Sequence, residues 1–136
     1  MYKRQVLKDL CDSLKRASKK QGIKTEVDYA NVRAMLAHDR RIGDAWLDIE
    51  HGGYRGYGGY CFVKDTRALI SSGQRLLKKL PVRSVEYARL QAGLKLLKSM
   101  RGYNRALLAS QGLTEEDVAV HDHEWIRNKL RIKNDK

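Results

Sequence analysis

A short acidic segment carries the residues whose types and spacing best suit catalysis. Asp44 and Asp48 are four residues apart, and Glu50 and His51 follow closely. Residues i and i+4 share one face of a helix, so the two carboxylates could hold one divalent cation. Such a cation can activate water, which makes a small metal-dependent nuclease one hypothesis. In the alternative interpretation, Asp44 caps a helix and the other side chains are solvated.

Other signatures of catalysis or metal binding do not accompany this acidic set. The chain has no Cys-x-x-Cys and no His-Glu-x-x-His pattern, which are the spacings typical of zinc sites. We therefore predict no metal and no cofactor. We also favour a protein that is not an enzyme, with the four acidic-segment residues as the catalytic candidates if it is one.

Aromatic residues recur in a glycine-rich segment at about 52–64. Tyr54, Tyr57 and Tyr60 occur at every third position, and Arg55 lies between the first two. Aromatic rings interleaved with a cation suit stacking on unpaired bases. In the alternative interpretation, the tyrosines cover a small helical core.

The backbone of the same segment has two interpretations. Gly58-Gly59 can form a two-residue turn, and the sequence after it is rich in strand-forming residues, which predicts a β-hairpin over 53–64. The glycines weaken the first strand, so a loop is the other interpretation. The glycine spacing matches neither the Gly-x-Gly-x-x-Gly fingerprint of dinucleotide sites nor a phosphate-binding loop.

Positive charge is clustered along the chain. The protein has 28 Lys and Arg against 16 Asp and Glu, for a net charge of +12. Residues 1–25 carry +6 and residues 66–108 carry +9, whereas 26–65 and 109–136 carry −2 and −1. Clustered cations form a surface that can bind an anionic partner. Binding to a nucleic-acid backbone is favoured because the cations displace the counterions of the phosphates.

The predicted nucleic-acid-binding side chains come from these basic blocks and from the glycine- and tyrosine-rich segment. They are Arg4, Lys8, Lys15, Lys19, Lys20, Tyr54, Arg55, Tyr57, Tyr60, Arg67, Arg75, Lys78, Lys79, Arg89, Lys95, Lys98, Arg101 and Arg105.

Charge and composition together predict a non-enzymatic accessory or regulatory protein that binds DNA or RNA. One alternative is a small inhibitor or adaptor that docks its basic face on an acidic protein partner, such as a nucleic-acid enzyme. A basic amphipathic helix lying on an anionic membrane is a further interpretation. Two cysteines are too few for a disulfide framework and favour a reducing, cytoplasmic location. We predict neither a signal peptide nor a transmembrane segment.

The elements that position these residues are predicted to be mostly helical. Apolar residues recur at helical spacing, which indicates an all-α fold: a compact bundle of five or six helices with a small β-hairpin or loop at about 52–64. We expect one basic helical domain over 1–136, with a frayed tail at 132–136. The predicted helices cover residues 3–21, 28–38, 44–51, 66–80, 84–111 with a break near Gly102, and 114–131.

Overall fold

The computed structural model describes residues 2–44, 47–51, 53–119 and 123–134. The chain divides into two compact units, Met1–His51 and Gly52–Lys136. The described residues are mostly helical, which confirms the all-α prediction. The helices are α1 (Tyr2–Lys20), α2 (Tyr29–Ala37), α3 (Tyr60–Leu77), α4 (Val85–Ser110) and α5 (His123–Asn134), and the two-residue strands are β1 (Glu50–His51) and β2 (Tyr54–Arg55).

The first unit is built on α1 and α2, which pack against each other. Asp28 caps α2 as an extended residue whose carboxylate accepts a hydrogen bond from the backbone N–H of Ala30 at 2.9 Å. The buried Tyr29 donates its hydroxyl to the carbonyl of Leu47 at 2.7 Å, which ties the start of α2 to the segment that follows it. The predicted second helix is therefore confirmed within a residue at each end.

The predicted third helix, 44–51, is wrong where the structure describes it. Leu47 is in a turn, and Glu50–His51 form β1. Residues 45 and 46 lie outside the described residues. The amide of Gln5 in α1 donates to the carbonyl of Ile49, so this backbone finds its hydrogen-bond partner in another element and has no need of helical bonds.

The second unit is organised by α3 and α4, which run side by side. Gly73 permits this close approach, since a Cβ there would lie 2.7 Å from Cδ2 of Leu94. At the far end of α4 lies the core of the unit, to which helices, strand and loops all contribute. Its buried members are Tyr54, Leu108, Leu113, Val118 and Ile126, and Leu130 packs against them.

Of the two predictions for the glycine-rich segment, the loop is confirmed and the hairpin over 53–64 is wrong, because a helix occupies its second half. Helix α3 begins at Tyr60 rather than at 66. Its N-cap is Gly59, with φ of 83°, whose N–H donates to the carbonyl of Val118 at 2.6 Å. The strand-like sequence that begins at Tyr60 becomes helical because this geometry buries Val63 and brings the ring of Phe62 edge-on to Tyr57.

The fourth helix follows its predicted start but not its predicted break. Ser84 caps α4 by accepting a hydrogen bond from the N–H of Tyr87 at 3.0 Å, as its position before an apolar run predicts. The helix then continues through Gly102 to Ser110. A glycine lowers helix stability by only about 1 kcal/mol, and neighbouring turns outweigh that cost.

The last helix starts later than predicted. Thr114 and Asp117 form a reciprocal cap, with hydrogen bonds of 2.9 and 3.1 Å between backbone N–H groups and side chains. This cap begins a single 3₁₀ turn, Asp117–Ala119, and α5 starts only at His123. The predicted frayed tail overlaps the last residues of α5, and residues 135 and 136 lie outside the described residues. None of the helices in the described part of the chain has the length and apolar character of a membrane span.

Candidate functional site

Ion pairs within the protein neutralise several of the predicted basic residues. In α1, Lys8 pairs with Asp12 at 2.5 Å and Lys15 with Asp28 at 3.0 Å. In the second unit, Arg67 and Arg101 both pair with Glu115, at 2.8 and 2.7 Å. The charges counted in the sequence are therefore only partly available to a partner.

The tyrosines of the glycine-rich segment are not aligned as a stacking surface. Tyr54 and Tyr57 are each only 3% exposed, and burial raises the pKa of both hydroxyls. Tyr60 lies at the surface in the first turn of α3, with the ammonium of Lys64 5.5 Å from its ring centre. Tyr54 and Tyr57 therefore fit the alternative interpretation of this segment, in which the tyrosines cover a small core.

Two amide side chains, Asn104 of α4 and Gln111 directly after this helix, hold the backbone of this segment. The Asn104 side chain accepts from the N–H of Tyr57 at 2.8 Å and donates to its carbonyl at 3.1 Å. Gln111 does the same for Arg55, with distances of 2.8 and 2.9 Å. Neither amide was among the predicted site residues. The available signal was their seven-residue spacing, which puts both on one face of a helix, next to the buried Leu107 and Leu108.

We expect Asn104→Ala to lower the free energy of unfolding by about 2 kcal/mol, because it leaves the buried N–H and carbonyl of Tyr57 without partners. Urea unfolding of the full chain, followed by circular dichroism, measures this. Asn31→Ala is the control, since Asn31 makes one exposed hydrogen bond and its loss should change stability by less than about 0.5 kcal/mol. Equal effects of the two substitutions would show that the buried hydrogen bonds of Asn104 contribute no more to stability than one exposed hydrogen bond.

A buried carboxylate joins two of the predicted cations. The Glu115 side chain is 4% exposed and accepts hydrogen bonds from Arg67 at 2.8 Å and from Arg101 at 2.7 Å. Burial acts to raise the pKa of Glu115, but the hydrogen bonds from Arg101 and Arg67 outweigh it and hold the pKa below its ordinary value. Sequence reasoning named both arginines but missed Glu115, because its partners lie on two other helices.

Three of the remaining predicted cations converge on a cleft between α3 and α4. The cleft has a volume of about 430 Å³, within the usual range of ligand pockets. The buried Leu94 lies at its floor. Among its described lining residues none is acidic. They are Gln74, Leu77, Lys78, Gln91, Leu94, Lys95, Lys98 and Ser99. In the structure, Arg89 and Arg105 are exposed elsewhere on α4, and Lys79 is exposed in the connection after α3.

The predicted acidic residues do not form a metal centre in the described part of the chain. Asp44 makes two hydrogen bonds to the guanidinium of Arg33, at 2.7 and 2.8 Å, which lower the pKa of its carboxyl. Asp48 accepts from the N–H of Glu50 at 3.1 Å. No three His, Cys, Asp or Glu side chains among the described residues are placed to share an ion.

With this geometry in place, comparison with known proteins assigns the chain to a family. Residues 11–104 match the model of the UDP-glucose/GDP-mannose dehydrogenase family, central domain. The chain belongs to this family. The matched part begins within α1, ends within α4 and includes every side chain that lines the α3/α4 cleft. No curated protein and no solved structure gives a significant match.

Membership in this family overturns the functional hypotheses drawn from charge. A non-enzymatic nucleic-acid-binding accessory or regulatory protein is not what a dehydrogenase family predicts, and the inhibitor and nuclease alternatives fail for the same reason. Those hypotheses were wrong because net charge specifies the sign of a partner and not its kind. The structure adds a physical reason, since it buries Tyr54 and Tyr57 and pairs Arg67 and Arg101 internally.

A dehydrogenase family implies a dinucleotide that accepts hydride, and the glycine-rich segment is the part of the chain whose composition suits such a cofactor. The fingerprint that holds such cofactors is an open glycine-rich turn between a strand and a helix. A Cβ at Gly56 would lie 2.8 Å from Oδ1 of Asn104, and one at Gly58 would lie 2.7 Å from the carbonyl oxygen of Val118. These glycines pack against the protein's own atoms, so the segment does not fit a dinucleotide.

Proposed function

We propose that this chain is the helical central domain of a dehydrogenase acting on a nucleotide-linked sugar, and that its α3/α4 cleft binds the diphosphate of that substrate. The observation that supports this function is the convergence of Lys78, Lys95 and Lys98 on one cleft without an acidic neighbour among its lining residues. The family includes enzymes named for UDP-glucose and GDP-mannose, and both compounds carry a diphosphate.

The chemistry of the cleft matches the parts of such a substrate. A lysine ammonium is a compact point charge that binds phosphate oxygens. The amides of Gln74 and Gln91 and the hydroxyl of Ser99 can donate to and accept from sugar hydroxyls. Leu77 and Leu94 supply apolar contact beneath the exposed lysines.

We propose no role in hydride transfer for the side chains of this domain. Its described residues would bind and orient the charged part of the substrate, and the glycine-rich segment does not fit a dinucleotide. We also propose a cytoplasmic location, supported by Cys11 and Cys61, which are both free thiols.

We expect UDP-glucose or GDP-mannose to bind the full chain saturably, with an affinity that falls as salt rises above roughly 0.1 M. Lys95→Gln/Lys98→Gln should weaken this binding by about tenfold, because two of the three phosphate contacts are lost. Isothermal titration calorimetry or chemical-shift changes in NMR spectra measure the affinity.

The matched control is Arg89→Gln/Arg105→Gln, which removes the same charge from α4 outside the cleft and should change affinity by less than about twofold. Equal losses from the two pairs would mean that only overall charge attracts the ligand. Absence of saturable binding to either sugar nucleotide at low salt would contradict the proposal. Inorganic pyrophosphate serves as a further probe, and equal affinity for it would remove the sugar and base from recognition.

A further inference from the structure

Helix α1 has an exposed apolar ridge. Val6, Leu10 and Leu14 are 36%, 55% and 56% exposed. Their four-residue spacing places them on one face, and they extend for about 12 Å at 1.5 Å per residue. The side of α1 that contacts the rest of its unit is a different one, where Gln5 and Cys11 are buried. The ridge is therefore not part of the core.

The cations of α1 are divided between paired and unpaired groups. Lys8 and Lys15, which point away from the ridge on a helical wheel, are held by Asp12 and Asp28. Exposed cations flank the ridge itself and make no ion pair with any residue that the structure describes. These flanking residues are Lys3 and Lys20. Asp9 is the acid of α1 nearest to the ridge, and it is half-buried.

We propose that α1 binds the surface of an anionic lipid bilayer, lying in the plane of the headgroups along its apolar ridge. Apolar side chains on one face of such a helix enter the boundary between headgroups and acyl chains, and basic residues beside them attract anionic lipid. The charge pattern identifies this partner. A second copy of the chain would bring two sets of unpaired cations together, and like charges oppose that contact.

The test uses the full chain and vesicles of phosphatidylcholine, with or without phosphatidylglycerol, in a flotation assay. The chain should float with the anionic vesicles and remain unbound with the neutral ones. Leu10→Gln/Leu14→Gln should lower the partition coefficient by about tenfold or more, because the apolar area that enters the bilayer is lost. Both leucines are exposed, so circular dichroism should show a folded variant.

A matched control exists on α3, where Leu69 and Leu76 are 58% and 51% exposed. Leu69→Gln/Leu76→Gln makes the same chemical change at the same exposure, and it should leave the partition coefficient unchanged. Lys3→Gln/Lys20→Gln, which keeps the ridge, should lose the preference for anionic vesicles. Equal loss from both leucine pairs, equal binding to neutral vesicles, no binding to anionic vesicles, or pelleting without vesicles would overturn the proposal.

Discussion

Glu115→Gln is expected to lower the free energy of unfolding by about 2 kcal/mol, because a hydrogen bond to a charged group contributes roughly 1.5–3 kcal/mol. The substitution removes the carboxylate that Arg67 and Arg101 both contact. Arg101 then keeps its desolvation cost without the ion pair that offset it, whereas Arg67 still pairs with Glu116. Urea unfolding of the full chain, followed by circular dichroism and tryptophan fluorescence, measures the loss.

At acidic pH, the difference in stability between wild type and Glu115→Gln should disappear. The folded-state pKa of Glu115 lies below its ordinary value, so the folded protein binds fewer protons than the unfolded one between the two pKa values. The stabilisation is therefore fully present above the unfolded pKa of about 4.3 and is lost as pH falls through the folded pKa. The gap in stability between wild type and Glu115→Gln should narrow over that window.

Glu116 provides the matched control, because it also pairs with Arg67, at 2.6 Å, but is 72% exposed. Exposed ion pairs contribute about 0–1 kcal/mol, so Glu116→Gln should have little effect at any pH. Equal destabilisation by the two substitutions, or a gap for Glu115→Gln that stays constant with pH, would show that burial of Glu115 does not matter.

Gly58→Ala should destabilise the second unit by about 3 kcal/mol, the upper end of the usual cost of overpacking. The added Cβ would collide with the hydroxyl of Tyr54 and would lie 2.7 Å from both the Cβ and the carbonyl oxygen of Val118. Val118 cannot yield, because it is buried in the core and its carbonyl accepts the N–H of Gly59. The same unfolding experiment applies.

Glycines in α4 offer a control of opposite sign. Gly93 and Gly102 are helical, and a Cβ at either position meets nothing within 4 Å. Gly93→Ala and Gly102→Ala should therefore stabilise the protein by about 0.5–1 kcal/mol each, since alanine favours the helix. A neutral Gly58→Ala would mean that the glycine-rich segment is not packed against Val118 in solution.

Helices whose ends depend on local chemistry could be predicted from the sequence. Asp28 and Ser84 cap α2 and α4 because their side chains reach backbone N–H groups two and three residues later, and such reach is visible in the order of residues. The start of α3 could not be predicted in this way. Its cap, Gly59, is positioned by the carbonyl of Val118, which is far away in the sequence.

The types of residue in the candidate site could be predicted from the sequence, but which of them lie together in the cleft could not. Lys78, Lys95 and Lys98 were named as part of a basic block, yet only the packing of α3 on α4 brings them to one cleft. The reverse holds for Arg67 and Arg101, which were counted with the free cations. Their partner, Glu115, lies 48 and 14 residues away, and such distant pairing leaves no local pattern.

The amides of Asn104 and Gln111 have a consequence for how this chain can vary. Asn104 and Gln111 bind the backbone of Tyr57 and Arg55. These hydrogen bonds depend on where the two residues lie in the chain and not on which side chains they carry. Inserting or deleting one residue within 55–57 or 104–111 would break at least one of the two pairings and shift which side chains face the core. Both stretches should therefore tolerate substitution at exposed positions but keep a constant length, whereas the exposed connection between Lys78 and Ser84 can lengthen.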